Sequence, residues 1–475
     1  MSIVGGIMVP HPPLIVPEVG GGRESEIVKT SDAYRKAAAF AASLRPDSLI
    51  ITSPHTVMYG DYFHISPGTS ASGDLSRFGA PEVSIETDYD TELVAGICSL
   101  AGERGIHAGT LGERDPSLDH GTLVPLYFLR KAFEDAGLIN DARPRLRIVR
   151  IGLSGFSLSD HYRLGIAIKD AVEKLGRRAV FVASGDLSHK LKDYGPYGFA
   201  EEGPVYDERI MRVMGSASFG ELLDFDENFC GRAAECGHRS FVIMAGAFDG
   251  VSVKADPISH EDVTGVGYGV VTFTPGAPDK GRCFLDEFER ILQEKIAEQR
   301  RAEDPYVSLA RMTIEKHIRG ETPVMPDGLP PEMTGRRAGV FVSLHRLGKL
   351  RGCIGTILPV TGSIAEEIMR NAVCAATEDP RFPPVEPDEL ALLEYSVDVL
   401  SEPESIESES IESESELDPK KYGVIVESRG RRGLLLPDLD GVDTPEQQIA
   451  ISKRKAGIGD GEKVSLKRFT VTRHF

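Results

Sequence analysis

Four histidines stand where an α/β chain places reactive side chains. His11 directly follows the apolar run Ile3 to Pro10, His55 comes three residues after Ser48 to Thr52, and His189 comes five residues after Arg178 to Ser184. Each run reads as a strand, and in open α/β sheets the carboxyl ends of the strands converge on one edge, where ligands bind. Three imidazoles are therefore expected in one cleft. His120, in Pro116-Ser-Leu-Asp-His-Gly121 just ahead of the helical stretch Leu123 to Ala136, joins them from a loop. His64, His107, His161, His260, His317, His345 and His474 have no such context and are read as ordinary core or surface residues.

Two histidines with one carboxylate form the facial arrangement that suits non-haem Fe(II), with coordination positions left for substrate and O₂. Glu235, in Ala233-Ala-Glu-Cys-Gly-His238, is the preferred carboxylate, because its apolar flank suggests burial and a buried carboxylate needs a neutralising partner. Asp186, in Ser184-Gly-Asp-Leu-Ser-His189, competes as a ligand or as a partner orienting His189. Cys236 beside Glu235 would draw the site toward softer ions such as Zn or Cu. His189 and His120 are the candidates for acid/base work, since a free imidazole titrates near neutrality.

The elements that must position these groups read as a mostly parallel α/β sheet flanked by helices over residues 1–275. Leu146 to Ile151 and Gly265 to Thr274 add strands, and Asp32 to Leu44, Leu123 to Ala136 and Asp160 to Leu175 show helical periodicity. The Pro- and Gly-rich run Thr274 to Arg282 is expected to be a linker, followed by a charged helix Leu285 to Arg301 and a second, α+β domain over residues 285–475. Its strands are expected at Ala338 to Leu344, Tyr395 to Leu400, Gly423 to Glu427 and Arg432 to Leu436. Ser401 to Leu417, with seven glutamates and no basic residue, reads as a solvated loop.

A chain of 475 residues has room for two or three such units. Its formal charge of −19 excludes a sequence-independent grip on nucleic acid or anionic lipid. No apolar run approaches the ~20 residues of a membrane span, and the N-terminal run lacks a signal peptide's basic flank. The six cysteines include no CxxC pair, so neither a disulfide framework nor a zinc knuckle is indicated, and a reduced, cytoplasmic protein is expected.

His11-Pro-Pro, Ser53-Pro-His55, Ser184-Gly-Asp-Leu-Ser-His189 and the Ala233 to Ala247 stretch resemble the site segments of LigB-type class III extradiol dioxygenases and the related Memo proteins. The resemblance implies His11, His55 and Glu235 as Fe(II) ligands, His189 and His120 as acid/base residues, and O₂-dependent cleavage of a small aromatic diol. The Memo side of the resemblance implies a metal- or phosphopeptide-binding protein without turnover, with Cys236-Gly237 matching a Cys-Gly pair. Leu350-Arg-Gly-Cys-Ile-Gly-Thr356, Ala376 to Pro384 and Lys420 to Val426 resemble the AMMECR family. There Cys353, next to Arg351, is a candidate reactive thiol and Arg381 a candidate anion contact, each with a structural alternative. A Memo-like unit fused to an AMMECR-like unit resembles the AmmeMemoRadiSam set, which implies a separate radical-SAM partner and a modification role. Assembly with like subunits is compatible with the sequence.

Overall fold

The computed structural model describes residues 3–140, 144–347, 349–406, 417–439, 441–459 and 461–475. It divides into two compact units, Met1–Glu289 and Arg290–Phe475. The division falls inside a continuous helix, Phe284–Ala302. The expected linker is a correction: Thr274 to Pro278 extends a strand, and Lys280–Arg282 is a 3₁₀ turn. Pro275 is tolerated because the strand pairs on only one side there, so its missing N–H is not needed.

In the first unit we number the strands β1 (Ile3–Val9), β2 (Ser48–Ser53), β3 (Ser70–Leu75), β4 (Ala80–Tyr89), β5 (Arg147–Gly152), β6 (Ala179–Ser184), β7 (Val251–Glu261) and β8 (Tyr268–Pro278). They form one eight-stranded sheet in the order β3-β4-β5-β2-β6-β1-β8-β7. The centre is parallel, with Val9 level with Ser184 and Thr52 level with Ala183, and antiparallel strands close both edges. β2 and β6 are buried along their whole length. Such continuous apolar strands require cover on both faces. Tyr34, Leu126 and Leu129 pack with Ile51 and Val182 in one layer, while Tyr162, Leu164, Phe241 and Met244 pack with Ile50 and Phe181 in the other.

Helices start where local chemistry supplies acceptors for their first N–H groups. Asp90 caps Thr91–Glu103, Asp119 caps His120–Asp135, and Ser157 with Asp160 forms a capping box on Leu158–Lys174.

The second unit holds an antiparallel sheet of Lys349–Gly355, Val340–Arg346, Leu393–Leu400 and Val471–His474. Helices Pro305–Ile318 and Ile364–Thr377 share its apolar core, which includes Ile314, Val342, Ile368 and Val397. A second four-stranded sheet contains Gly423–Ser428 and Arg431–Leu435. Of the acidic run expected as a loop, Glu404–Ile406 is a short strand on that sheet and Leu417 is buried, whereas residues 407–416 lie outside the described residues. No helix among the described residues is long and apolar enough to cross a membrane.

Candidate metal centre

β1, β6 and β2 are neighbours, so His11, the Ser184–His189 loop and His55 emerge side by side at one sheet edge. His120 enters from the first residue of its helix. The ring centroids of His55 and His120 lie 4.0 Å apart, and those of His11 and His55 lie 4.7 Å apart. His189 stacks on Tyr197 with centroids 5.1 Å apart, and its Nε2 is buried without a hydrogen-bond partner.

The hydrogen-bond network assigns the tautomer of His11. Pro125 sits inside the helix His120–Asp135, and having no N–H it cannot bond the carbonyl of Gly121 four residues back. The Ser184 hydroxyl donates to that carbonyl instead, at 2.6 Å. Its oxygen then accepts from His11 Nδ1, at 2.9 Å. A proton fixed on Nδ1 leaves the lone pair on Nε2, the orientation that metal-ligating imidazoles usually require. Asp119 holds the backbone at His55 instead of its ring: it accepts from Ser53 Oγ at 2.6 Å, and that oxygen accepts the backbone N–H of His55 at 3.2 Å. Sequence reasoning did not single out Ser184 or Asp119, although an aspartate directly before a helix-starting His-Gly-Thr is a recognisable N-cap signal.

His11 Nε2 faces His55 Nε2 at 2.9 Å and Cys236 Sγ at 3.6 Å. On one tetrahedral ion, two nitrogens bound at about 2.1 Å lie about 3.4 Å apart and a nitrogen and a thiolate about 3.6 Å apart, so the Sγ distance fits as it stands and the two imidazoles need part by only about 0.5 Å. The spacing suits a single metal ion held by His11, His55 and Cys236. Asp186 flanks them, with Oδ1 accepting the His11 N–H at 2.8 Å and Oδ2 lying 3.9 Å from His11 Nε2.

Glu235, expected as the carboxylate ligand, is not brought to the imidazoles. Its Oε2 accepts the backbone N–H of His238 at 2.6 Å, at the start of the helix His238–Ala247. A helix N-terminus carries partial positive charge, and with Arg239 and the Tyr206 hydroxyl it supports this buried carboxylate away from the imidazoles. The adjacent residue reaches the histidines because Gly185 and Gly237 touch backbone to backbone. A Cβ on Gly185 would lie 2.1 Å from Gly237 Cα. This contact sets the Cys236 loop against the Asp186 loop, and the Asp186 N–H points at Sγ from 3.3 Å.

Burial dominates the electrostatics. It lowers His11 well below the ordinary imidazole range, reinforced by His55 and His120, and it also lowers His55. His120 and His189 are each brought down to about 4, mainly by burial and then by His55. The same desolvation pushes Asp186 up to about 7 and Glu235 up to about 7, and raises the Cys236 thiol strongly. Neutral imidazoles with a protonated thiol and a reluctant carboxylate form a cluster whose groups ionise most readily against a bound cation.

Of the histidines read as ordinary, His161 is buried and bonds the Ser157 carbonyl through Nδ1. His64 lies 3.3 Å from Glu113, whose carboxylate also faces the fully buried Arg150.

Residues 5–271 match the family described as catalytic LigB subunit of aromatic ring-opening dioxygenase, and residues 307–474 match the AMMECR1 family. A protein of Clostridium acetobutylicum is 39% identical over 492 residues, covering 100% of this chain and 99% of its own length. A Thermotoga maritima protein is 53% identical over 175 residues, covering 36% of this chain and 98% of its own. Among solved structures, an uncharacterised protein from Pyrococcus horikoshii is 34% identical over 35% of this chain and 88% of that one, with a TM-score of 0.33.

Proposed function

The chain belongs, through residues 5–271, to the family of catalytic LigB subunits of aromatic ring-opening dioxygenases, and from that premise we propose that its first unit is a metal-binding protein whose ion is held by His11, His55 and Cys236. The observation that carries this reading is the thiol sulfur 3.6 Å from His11 Nε2, while Glu235 is engaged at a helix N-terminus. A two-histidine, one-thiolate set favours softer ions such as Zn or Cu over Fe(II). Such an ion supplies Lewis-acid or redox character when bound.

The residues of this chain do the rest. Ser184 orients the His11 imidazole, Asp119 through Ser53 holds the backbone at His55, and Asp186 places a second acceptor beside them. Phe78 packs against His120 with ring centroids 5.3 Å apart, and Tyr197 stacks on His189, both from the solvent-exposed rim of the site.

A second reading, ring cleavage of a catecholic or related aromatic diol with O₂, is favoured by one observation. Asp186 Oδ2, 3.9 Å from His11 Nε2, could stand in for the facial carboxylate of an Fe(II) site. His189 and His120, both neutral near pH 7, would then accept protons from the diol. The pairing with an AMMECR1 unit makes a separate radical-SAM protein the partner to seek by co-purification.

Metal analysis of chain purified without oxygen, followed by O₂ uptake over a panel of catechols, separates the readings. Zn or Cu that is lost in Cys236→Ser, with no catechol-dependent uptake, supports the thiolate site. Stoichiometric Fe(II) with catechol-dependent uptake that survives Cys236→Ser refutes it in favour of the dioxygenase.

A further inference from the structure

Beyond the three donors assigned above, a second group converges at the same edge. Ligand atoms of Asp186, His189 and Cys236 all lie within 4.8 Å of one another, as do those of His11, His55 and Cys236. We propose that this unit binds two metal ions, the first on His11 and His55, the second on Asp186 and His189, with the Cys236 sulfur bridging them. This rests on the thiolate reading of the first site and extends it to a dinuclear centre.

Three observations carry it. Asp186 is divided in function: Oδ1 is held by the His11 N–H at 2.8 Å, whereas Oδ2 receives no hydrogen bond among the described residues. One oxygen fixes the side chain and the other is left to bind. His189 is uncommitted in the same way. Stacking on Tyr197 at an interplanar angle of 29° sets its ring plane, yet its buried Nε2 has no partner. Buried polar atoms are rarely left unpaired, and binding an ion or a water is one way such an atom is satisfied.

The sulfur is positioned for both sets. It lies 3.6 Å from His11 Nε2, and it also accepts the N–H of Asp186, at 3.3 Å, a residue of the second set. A thiolate has lone pairs enough for two ions, and two ions about 3.5–4 Å apart are common in metal sites that share ligands. Charge favours the pair as well. A thiolate and a carboxylate brought together in a buried pocket repel when ionised, and a cation between them removes that cost.

The chemical class of the second ligand follows from its donors. One carboxylate oxygen, one imidazole and a shared thiolate suit a borderline divalent ion of the Zn(II) or Co(II) type, and suit Mg(II) or Ca(II) poorly, since those prefer all-oxygen sets.

The test is titration of the metal-free full-length chain with Zn(II), read by calorimetry and by metal content after dialysis, with Co(II) as a spectroscopic probe. Wild type is expected to take two equivalents, and the sulfur-to-cobalt charge-transfer band should keep growing through the second. Asp186→Asn retains an oxygen for the His11 N–H, and combined with His189→Gln it is expected to stop at one equivalent with unchanged far-UV circular dichroism. Saturation of wild type at one equivalent, unaffected by Asp186→Asn and His189→Gln, overturns the second ion and leaves the first standing. Absence of any binding overturns both. Two equivalents retained by the folded double variant overturn the assignment of Asp186 and His189.

Discussion

Two regions of this chain gather thiols, carboxylates and nitrogen groups, and they treat them oppositely. At the edge of the first unit's sheet, Asp186 Oδ2 and His189 Nε2 lack hydrogen-bond partners among the described residues. In the second unit, the Arg351-Gly-Cys353 strand shows the reverse. Arg351 donates twice to Glu389, at 2.7 Å each. Arg381 forks onto Asp379 at 2.9 and 2.7 Å, and Arg473 bonds Asp398 at 2.9 Å. Cys353 accepts from Ser343 Oγ at 3.2 Å and gives its own N–H to Asp379. Its thiol is raised, mainly by burial. A patterned motif whose charges are all spent on each other holds strands and loops together, whereas a site keeps donors in reserve. Arg381, a candidate anion contact from the sequence, is thus occupied by a structural ion pair.

The contrast can be broken by exchanging losses between the regions. The largest effect is expected in the first unit, where Cys236→Ser should abolish stoichiometric Zn binding while Glu235→Gln keeps it and lowers only thermal stability, through the weakened helix start. Metal content of both variants checks this, and loss of metal in Glu235→Gln alone would reverse the ligand assignment. Next comes Arg351→Ala in the second unit. Glu389 would lose both Arg351 bonds and keep only Arg346 at 3.5 Å and the Glu386 N–H at 3.0 Å, which should cost about 2 kcal/mol in denaturant unfolding with metal content unchanged. Ser184→Ala removes the hydroxyl that fixes the His11 tautomer and satisfies the Gly121 carbonyl, and should weaken metal affinity ~10- to 100-fold by competition titration while costing about 1 kcal/mol of stability from the stranded carbonyl.

The smallest effect is a pH dependence. Arg381, together with the N–H groups of Cys353 and Arg381, holds Asp379 well below the usual carboxylate range. A depressed folded value means the stabilisation is present above the unfolded value of about 4 and disappears as pH falls through the folded one. Asp379→Asn should therefore cost about 1.5 kcal/mol at neutral pH, and melting curves should converge with wild type as pH drops below about 4. A constant gap across that range would mean that the carboxylate's charge contributes nothing.

The central strands were legible because their runs are apolar throughout, and the position of a histidine after each run was enough to bring His11, His55 and His189 to one edge. His120 was legible from its place before a helix. The hairpin β3–β4 and the helix Thr91–Glu103 were not foreseen, since short alternating runs leave strand and helix hard to separate. Glu235 shows the limit of burial arguments: its apolar flank signalled a buried carboxylate, but not whether a cation or a helix N-terminus would neutralise it. The neighbour Cys236 takes the site-facing position because Ala234 turns left-handed, at φ 55°, and because Gly185 meets Gly237, a contact between residues far apart in sequence. The Pro125–Gly121–Ser184–His11 relay likewise joins three separate segments, so no local pattern announces it.

Sulfur ligation beside two imidazoles is the property that sets this site apart. X-ray absorption at the metal edge of the Zn-loaded chain tests it most directly, because zinc–sulfur bonds of about 2.3 Å are resolved from zinc–nitrogen bonds of about 2.0–2.1 Å. The expected spectrum has a sulfur shell with imidazole scattering, and the sulfur shell vanishes in Cys236→Ser. A spectrum fitted by nitrogen and oxygen alone in the wild-type chain would contradict the claim and return the third position to a carboxylate.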